Sequence, residues 1–519
     1  MERYFVQQQI VQQGQEAVRF VVTHCENIEG RISMHEGLWR NNETVGIPMK
    51  RVVLRGLVLC LLTILAAGCA SKSPEVRAPL APPSIKGIRD LSVYPQNGLA
   101  YVDSDKKGTP LVDSFEAKRQ ADEFFKQYFS PWRKKRTGFK RRDAMWGIAR
   151  YGKSPGYDAH GTPNDPSWLA HAVQMADASH FPSMSRYGIS LHNTNLRLLP
   201  TNRPRFDNPS EPGEGYPFDY LQNSALWANT PVFISHLSRD GQWYYVESAF
   251  AAGWSPIKDI GFVDDIFIGR FMTGRYVSIV RDKLLVRTDR GDITTHMGAL
   301  FPVTAQSERG YRVLAAARAS GGRSADAALA RGAVAVSDGV LVPLFMTQKN
   351  VAVLANRMMN QAYGWGGLDE KRDCSATVRD LFTPFGIWLP RNSKAQAMDG
   401  IFISLQGLSP ELKEQEILSK GVPFMTLVWL PGHIMLYMGQ KDGRVVVFHN
   451  VWGLRTLTPE GEEGREVIGR TVVTSLHVGE ENPLVGSDRI LLNRVRGISY
   501  VAPPSVACIP KGRSFTGVQ

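Results

Sequence analysis

Between residues 186 and 345 the chain breaks into short alternating apolar stretches separated by turn signals. "TPVFISHLS", the turn Arg239-Asp240-Gly241, "QWYYVESAF" and "AAGWSP" follow one another at hairpin spacing. A period of two with Asp-Gly turns predicts antiparallel strands, here the hairpins of a small barrel. A second such stretch, residues 275–345, carries "RYVSIV" and "KLLVRT" on either side of Arg281-Asp282, then "GYRVLAAA". Neither stretch holds a catalytic constellation, so the chemistry is sought elsewhere. A chain of 519 residues is also longer than one core usually supports, so several domains are expected.

The beginning of the chain changes character at Met49, where "MKRVVLRGLVLCLLTILAAGCASKS" starts. Lys50, Arg51 and Arg55 form a basic segment, and Leu57 to Ala67 an apolar one. That run falls short of the ~20 residues a membrane span needs, so it reads as a secretory signal. The ending Leu65-Ala66-Ala67-Gly68-Cys69 resembles the lipobox of bacterial lipoproteins. This resemblance implies cleavage before Cys69, lipid on Cys69 and a start at Met49, with residues 1–48 a mis-assigned extension. Residues 69–90 are Pro-rich and read as an extended tether. In residues 113–130, Phe115, Phe124, Phe125, Tyr128 and Phe129 mark an amphipathic helix that ends before Pro131.

The net charge of +12 favours anionic surroundings, and nucleic acid, acidic headgroups and cell-wall polymer all qualify. The run from Arg133 to Arg142 reads as a solvated face. Five cysteines without a CxxC pair exclude a disulfide framework and a cysteine zinc site. Gly152-Lys153-Ser154-Pro155-Gly156 fits a nucleophile-elbow pattern but follows no apolar strand, so it is a loop. Asp103-Ser104-Asp105 begins like a calcium loop, yet Ser114 stands where the bidentate Glu belongs.

Cys374 is different. Val378, Leu381, Phe382 and Phe385 repeat at helical spacing behind it, and the glycine-rich "YGWGG" precedes it. The thiol therefore falls in the first turn of a helix, where unpaired N–H groups favour a thiolate and can hold an oxyanion. Position alone leaves a nucleophile and a structural thiol both open. A nucleophile needs a base, and "GHIMLYMGQKDGRVVVFHN" supplies His433 and His449 on two strands about Asp442-Gly443. The two imidazoles share a face only if the hairpin has an odd loop or a bulge. A two-residue turn with regular ladders would favour Asn450 instead.

Tyr363-Gly364-Trp365-Gly366-Gly367, Asp373-Cys374-Ser375, Leu389-Pro390-Arg391-Asn392-Ser393 with Gln396, and Gly432-His433 together resemble the NlpC/P60 family of papain-like cell-wall cysteine peptidases. The two β-stretches resemble bacterial SH3-type domains, the first more closely. The implied fold is multidomain: an α+β papain-like catalytic domain at 346–519, preceded by SH3-like barrels at 186–268 and 269–345 and a partly helical N-terminal domain at 91–185. Signal (49–68) and tether (69–90) come first. The resemblance implies cleavage of the γ-D-Glu to L-diamino acid bond of peptidoglycan stem peptides, with a preference for free N-terminal L-Ala. Cys374 would be the nucleophile, His433 the base and His449 its orienting residue. Tyr363, Trp365, Asp373, Ser375 and Ser393 would line the substrate groove. Asp373 would hold a peptide ammonium, serve as the helix N-cap, or both. No cofactor, metal or nucleic acid partner is expected, and a lipid-anchored monomer in the cell envelope, facing the periplasm or exterior, is. A non-catalytic wall-binding lipoprotein and an acyl- or amidotransferase built on the same Cys-His pair are the competing functions.

Overall fold

The computed structural model describes residues 87–319 and 325–508. The signal at 49–68 and Cys69 lie outside the described residues. No helix among the described residues is long and apolar enough to cross a membrane.

The first β-module is a seven-stranded sheet of β1 (Arg186–Ser190), β2 (Thr194–Arg197), β3 (Gln222–Leu226), β4 (Pro231–Leu237), β5 (Trp243–Glu247), β6 (Ala252–Pro256) and β7 (Ile260–Phe262). Their order is β3-β2-β6-β5-β4-β1-β7, and every pair is antiparallel. The β4–β5 turn is made by Asp240-Gly241, and Gly241 supplies the positive φ of 67°. The second module contains β8 (Tyr276–Ile279), β9 (Leu284–Val286), β10 (Ile293–Thr295), β11 (Leu300–Ser307), β12 (Gly310–Arg318), β13 (Ala327–Ala335) and β14 (Gly339–Leu341). Here β13-β12-β11-β8-β14 form one sheet and β10-β9 another.

The C-terminal module is built on a six-stranded sheet. Its strands are β15 (Ile401–Ser404), β16 (Thr426–Leu430), β17 (His433–Lys441), β18 (Arg444–Leu457), β19 (Glu463–Ser475) and β20 (Gly497–Tyr500), in the order β15-β20-β16-β17-β18-β19. One face carries Ile434, Leu436, Phe448 and Val473 into a core shared with helices Gln348–Met358 and Cys374–Phe382. The other carries Met435, Val447 and Val472 towards Ile417 of helix Pro410–Lys420. Val- and Ile-rich strands covered on both faces follow from those two layers.

The N-terminal residues depart from the sequence expectation. Ile88 and Asp90, assigned to a tether, are buried against the C-terminal sheet. Asp90 accepts from Ser475 N–H at 2.7 Å and Ser475 Oγ at 2.8 Å. Gln96 then bonds Val473 through both its N–H and its carbonyl. Residues 91–185 are partly helical and bury much of their apolar surface on the neighbouring modules. Phe124, Tyr128, Phe129 and Trp132 pack with Ile189, Phe271, Tyr276 and Leu300 of both β-modules. Ala144, Met145 and Phe181 pack on Trp243 and Trp254, while Leu169 and Ala172 pack on Leu198 and Leu221. The segment acts as a strap, burying these side chains on its neighbours. Each buried Phe, Leu or Met among them contributes about 1.5–3 kcal/mol. Phe115, expected on the apolar stripe, is 79 % exposed instead. It lies in the first turn of helix Ser114–Tyr128, on the side away from those partners.

Candidate active site

Cys374 is the first residue of its helix, and Asp373 is the N-cap, accepting the Ala376 N–H at 2.9 Å. The thiol is 7 % exposed and joins the helix-side apolar cluster. The N–H groups of Ile434 and Ser375 point at its sulfur, which places it beside the first residues of β17. Those bonds favour a thiolate, but burial and the neighbouring Asp373 charge outweigh them and push the thiol up to about 12. A thiolate lowered by the helix tip, as the sequence suggested, is therefore not the resting state.

His433 Nε2 and His449 Nδ1 lie 2.8 Å apart, and His449 Nε2 lies 3.1 Å from Thr474 Oγ1. The loop between their strands holds two residues, Asp442-Gly443, since Lys441 pairs with Arg444. Both have positive φ, 53° and 77°, the geometry of a tight hairpin turn. A bulge at Met438 corrects the parity: Tyr437 faces Val447, whereas Gly439 faces Val446. Beyond the bulge, His433 and His449 come to one face. Asn450 points to the other, where its amide holds the Arg372 carbonyl at 2.9 Å. Burial, then the charge of Arg494, lowers His433 to about 4, and burial holds His449 well below the usual histidine range. The resting pair is thus a neutral thiol and a neutral imidazole.

The remaining sequence candidates divide. Asp373 is buried and its oxygens are committed: Arg391 clamps both, Ser375 Oγ donates to one at 3.0 Å, and the Gly366 N–H donates to the other at 3.1 Å. That is the N-cap role, with its countercharge supplied from within. Burial alone would raise this carboxyl, yet Arg391 keeps it below its ordinary range. Ser375 is buried in the same cluster and also receives Arg391 at 3.0 Å. Tyr363 is buried, Trp365 is 37 % exposed, and Ser393 begins the helix Ser393–Asp399 half-buried.

Several residues of the site escaped sequence reading. Phe218 of the first β-module lies at 5.5 Å from Trp365, 6.2 Å from Tyr363 and 5.9 Å from Trp452, ring centre to ring centre. Arg391 reaches Ser224 of the same module at 2.8 Å. Arg372, next to the N-cap and fully buried, donates to Asp282 of the second module at 2.7 and 2.9 Å and to Asp380 at 2.7 Å. Trp227 Nε1 of the first module also donates to Asp380, at 2.9 Å. The helix carrying Cys374 is therefore fixed by all three modules. A cavity of about 460 Å³ separates the first β-module from the 368–370 loop, lined by Asn193, Arg197, Asp219 and Glu370. Among the described residues no cluster of His, Cys, Asp and Glu could hold a metal ion.

Sequence comparison identifies three of the chain's segments. Residues 360–449, which run from the Tyr363 loop through Cys374 and His433 to His449, match the NlpC/P60 family. Residues 58–181 match the N-terminal NLPC_P60 stabilising domain, and 204–256 an SH3 domain of the SH3b1 type. This chain carries an NlpC/P60 domain. Among solved structures it is similar to an NlpC/P60 endopeptidase from Photobacterium damselae subsp. piscicida. The two share 26 % identity at a TM-score of 0.69, over 78 % of this chain and 97 % of that one. An NlpC/P60 family protein from Bacillus cereus ATCC 10987 aligns at 13 % identity and a TM-score of 0.41, over 61 % of this chain and all of that one. No curated relative matches the chain. The NlpC/P60 domain thus sits on an SH3 domain and is strapped by the stabilising segment, a multidomain arrangement consistent with a cell-wall peptide hydrolase.

Proposed function

We propose that this protein cuts peptidoglycan stem peptides at the γ-D-Glu to L-diamino acid amide, with Cys374 as nucleophile, His433 as base and His449 as its orienting partner. The observation that carries the reading is the joint placement of a helix-tip sulfur against Ile434 N–H and of His433 2.8 Å from His449. Because the resting pair is neutral, the proton leaves as the bond forms: His433 Nδ1 takes the Cys374 proton while the sulfur attacks the carbonyl carbon. The Ala376 N–H is occupied by Asp373 and that of Ser375 faces the sulfur, so the Cys374 N–H is the helix-tip donor available to the oxyanion. Collapse of the tetrahedral adduct expels the diamino acid nitrogen, which takes from His433 the proton that came from Cys374. Water, deprotonated by the same imidazole, then releases the γ-carboxylate and restores the thiol.

Phe218, Tyr363 and the partly open Trp365 make an aromatic wall supplied jointly by the SH3 and catalytic domains. This wall supports recognition of a short peptide end, in keeping with a preference for free N-terminal L-Ala. The lipobox-like Cys69 supports anchoring of the enzyme in the cell envelope.

The test is incubation of the mature protein with L-Ala-γ-D-Glu-diaminopimelate and with intact sacculi, beside Cys374→Ser. Release of L-Ala-γ-D-Glu by wild type alone is expected. Sacculus binding without release would instead assign a wall-binding protein, and an amide product with an added amine a transferase. Diacylglycerol on Cys69, read by mass spectrometry of the membrane fraction, tests the anchor.

A further inference from the structure

We infer that Thr474 is a positioning residue that fixes the tautomer of His433 through His449; the inference rests on the proposed Cys374–His433 chemistry. Thr474 lies in β19, fully buried, and its Oγ1 has two neighbours. One is the Ser475 carbonyl at 2.9 Å, which can only accept. The Thr474 hydroxyl proton is therefore spent there, and Oγ1 faces His449 Nε2 at 3.1 Å with a lone pair. His449 must carry its proton on Nε2, leaving Nδ1 as an acceptor. Across 2.8 Å, that acceptor takes the N–H of His433 Nε2. His433 then keeps an unprotonated Nδ1, the form able to remove a thiol proton.

The opposite polarity would put the proton on His433 Nδ1 and leave the imidazole unable to act as a base. His449 is buried, His433 half-buried, and both are held neutral, so each carries one ring proton and the choice between the two polarities is real. Ser475 is itself pinned by Asp90 through its N–H at 2.7 Å and its hydroxyl at 2.8 Å. The direction of the relay is thus set from the N-terminal strap: Asp90 fixes Ser475, whose carbonyl turns Thr474, and Thr474 turns His449. Sequence offers no hint of this, because Thr474 is 25 positions from His449 and 41 from His433.

The experiment compares wild type, Thr474→Ser and Thr474→Val, the last nearly isosteric but without the hydroxyl. Long-range 15N–1H correlation spectra of histidine-labelled protein at neutral pH report each tautomer without substrate. Wild type and Thr474→Ser are expected to show Nε2–H on both His433 and His449. Thr474→Val is expected to populate Nδ1–H on both, with kcat on the stem tripeptide down by ~10²-fold and KM nearly unchanged, as for loss of a general base. Nδ1–H on His433 in wild type would overturn the inference. So would a Thr474→Val protein with wild-type tautomers and rate. Should Thr474→Val not fold, the wild-type and Thr474→Ser spectra still decide. A wild type that shows the assigned tautomers yet releases no dipeptide would refute the peptidase reading and leave the relay standing.

Discussion

Arg391 grips Asp373 with two bonds, Nη2 to Oδ2 at 2.7 Å and Nη1 to Oδ1 at 3.1 Å, while its Nε holds Ser224 of the SH3 domain at 2.8 Å. One guanidinium thus neutralises the cap of the Cys374 helix and ties that helix to the neighbouring domain. Arg391→Met leaves the buried carboxylate unpaired and should lower unfolding free energy by about 3–5 kcal/mol. Arg391→Lys keeps the charge but not the fork, and should fall between. Urea unfolding of the three proteins measures both, and equal stability of Arg391→Met and wild type would refute the account.

The Cys374 thiol, pushed up to about 12, should alkylate with iodoacetamide at a rate that keeps rising with pH from 6 to 10. A thiolate preformed by imidazolium would give a plateau below pH 7. The unfolded chain, titrating at ~8.5, is the internal comparison.

His433 imposes a definite slope on stability. Its folded value, about 4, lies below the ordinary histidine value of 6.5, so the unfolded chain binds more protons between those limits. The contribution is complete above pH 6.5 and is lost as pH falls towards 4. His296 and His477, raised by carboxylate partners, act in the opposite sense and lose their contributions as pH rises. The diagnostic is therefore a difference: His433→Gln should flatten the fall in urea midpoint between pH 6.5 and 4.5. An unchanged slope would remove His433 from the account.

Phe382 is fully buried on the helix behind Cys374, whereas Phe115 is 79 % exposed. Phe382→Ala should cost about 3–5 kcal/mol. Phe115→Ala should stay within about 0.5 kcal/mol of wild type. Thermal or urea unfolding of the pair tests whether the strap helix packs the way it is placed here.

Phe218→Ala removes the ring that meets both Tyr363 and Trp365. Lost aromatic contact of about 0.5–1.5 kcal/mol per pair should appear as a raised KM for the tripeptide with kcat largely kept. A change confined to kcat would place Phe218 outside the peptide path.

Much was legible locally. The Val378, Leu381, Phe382 spacing places a helix behind Cys374 because one apolar face must be buried, and the Asp373 cap follows from side-chain chemistry alone. Asp442-Gly443 announces its hairpin for the same kind of reason, a positive φ that few residue pairs tolerate. The Met438 bulge was not legible: nothing about a methionine in an apolar strand marks it as the extra residue, yet it decides whether His449 or Asn450 meets His433. The ionisation of Cys374 was misjudged from sequence because helix-tip N–H groups are a local feature and desolvation is a global one.

What the sequence by itself determined is the set of elements and which side chains are candidates for the site, since period, caps and turns act over a few residues. Tertiary structure alone decided the ionisation of those groups, the register that unites them and the partners that lock them. Arg372 with Asp282, Arg391 with Ser224 and Asp90 with Ser475 join residues 90, 167 and 385 positions apart. Chain separation of that size leaves no periodic trace, because such pairs are selected by the packing of whole modules and not by the conformation of any one segment.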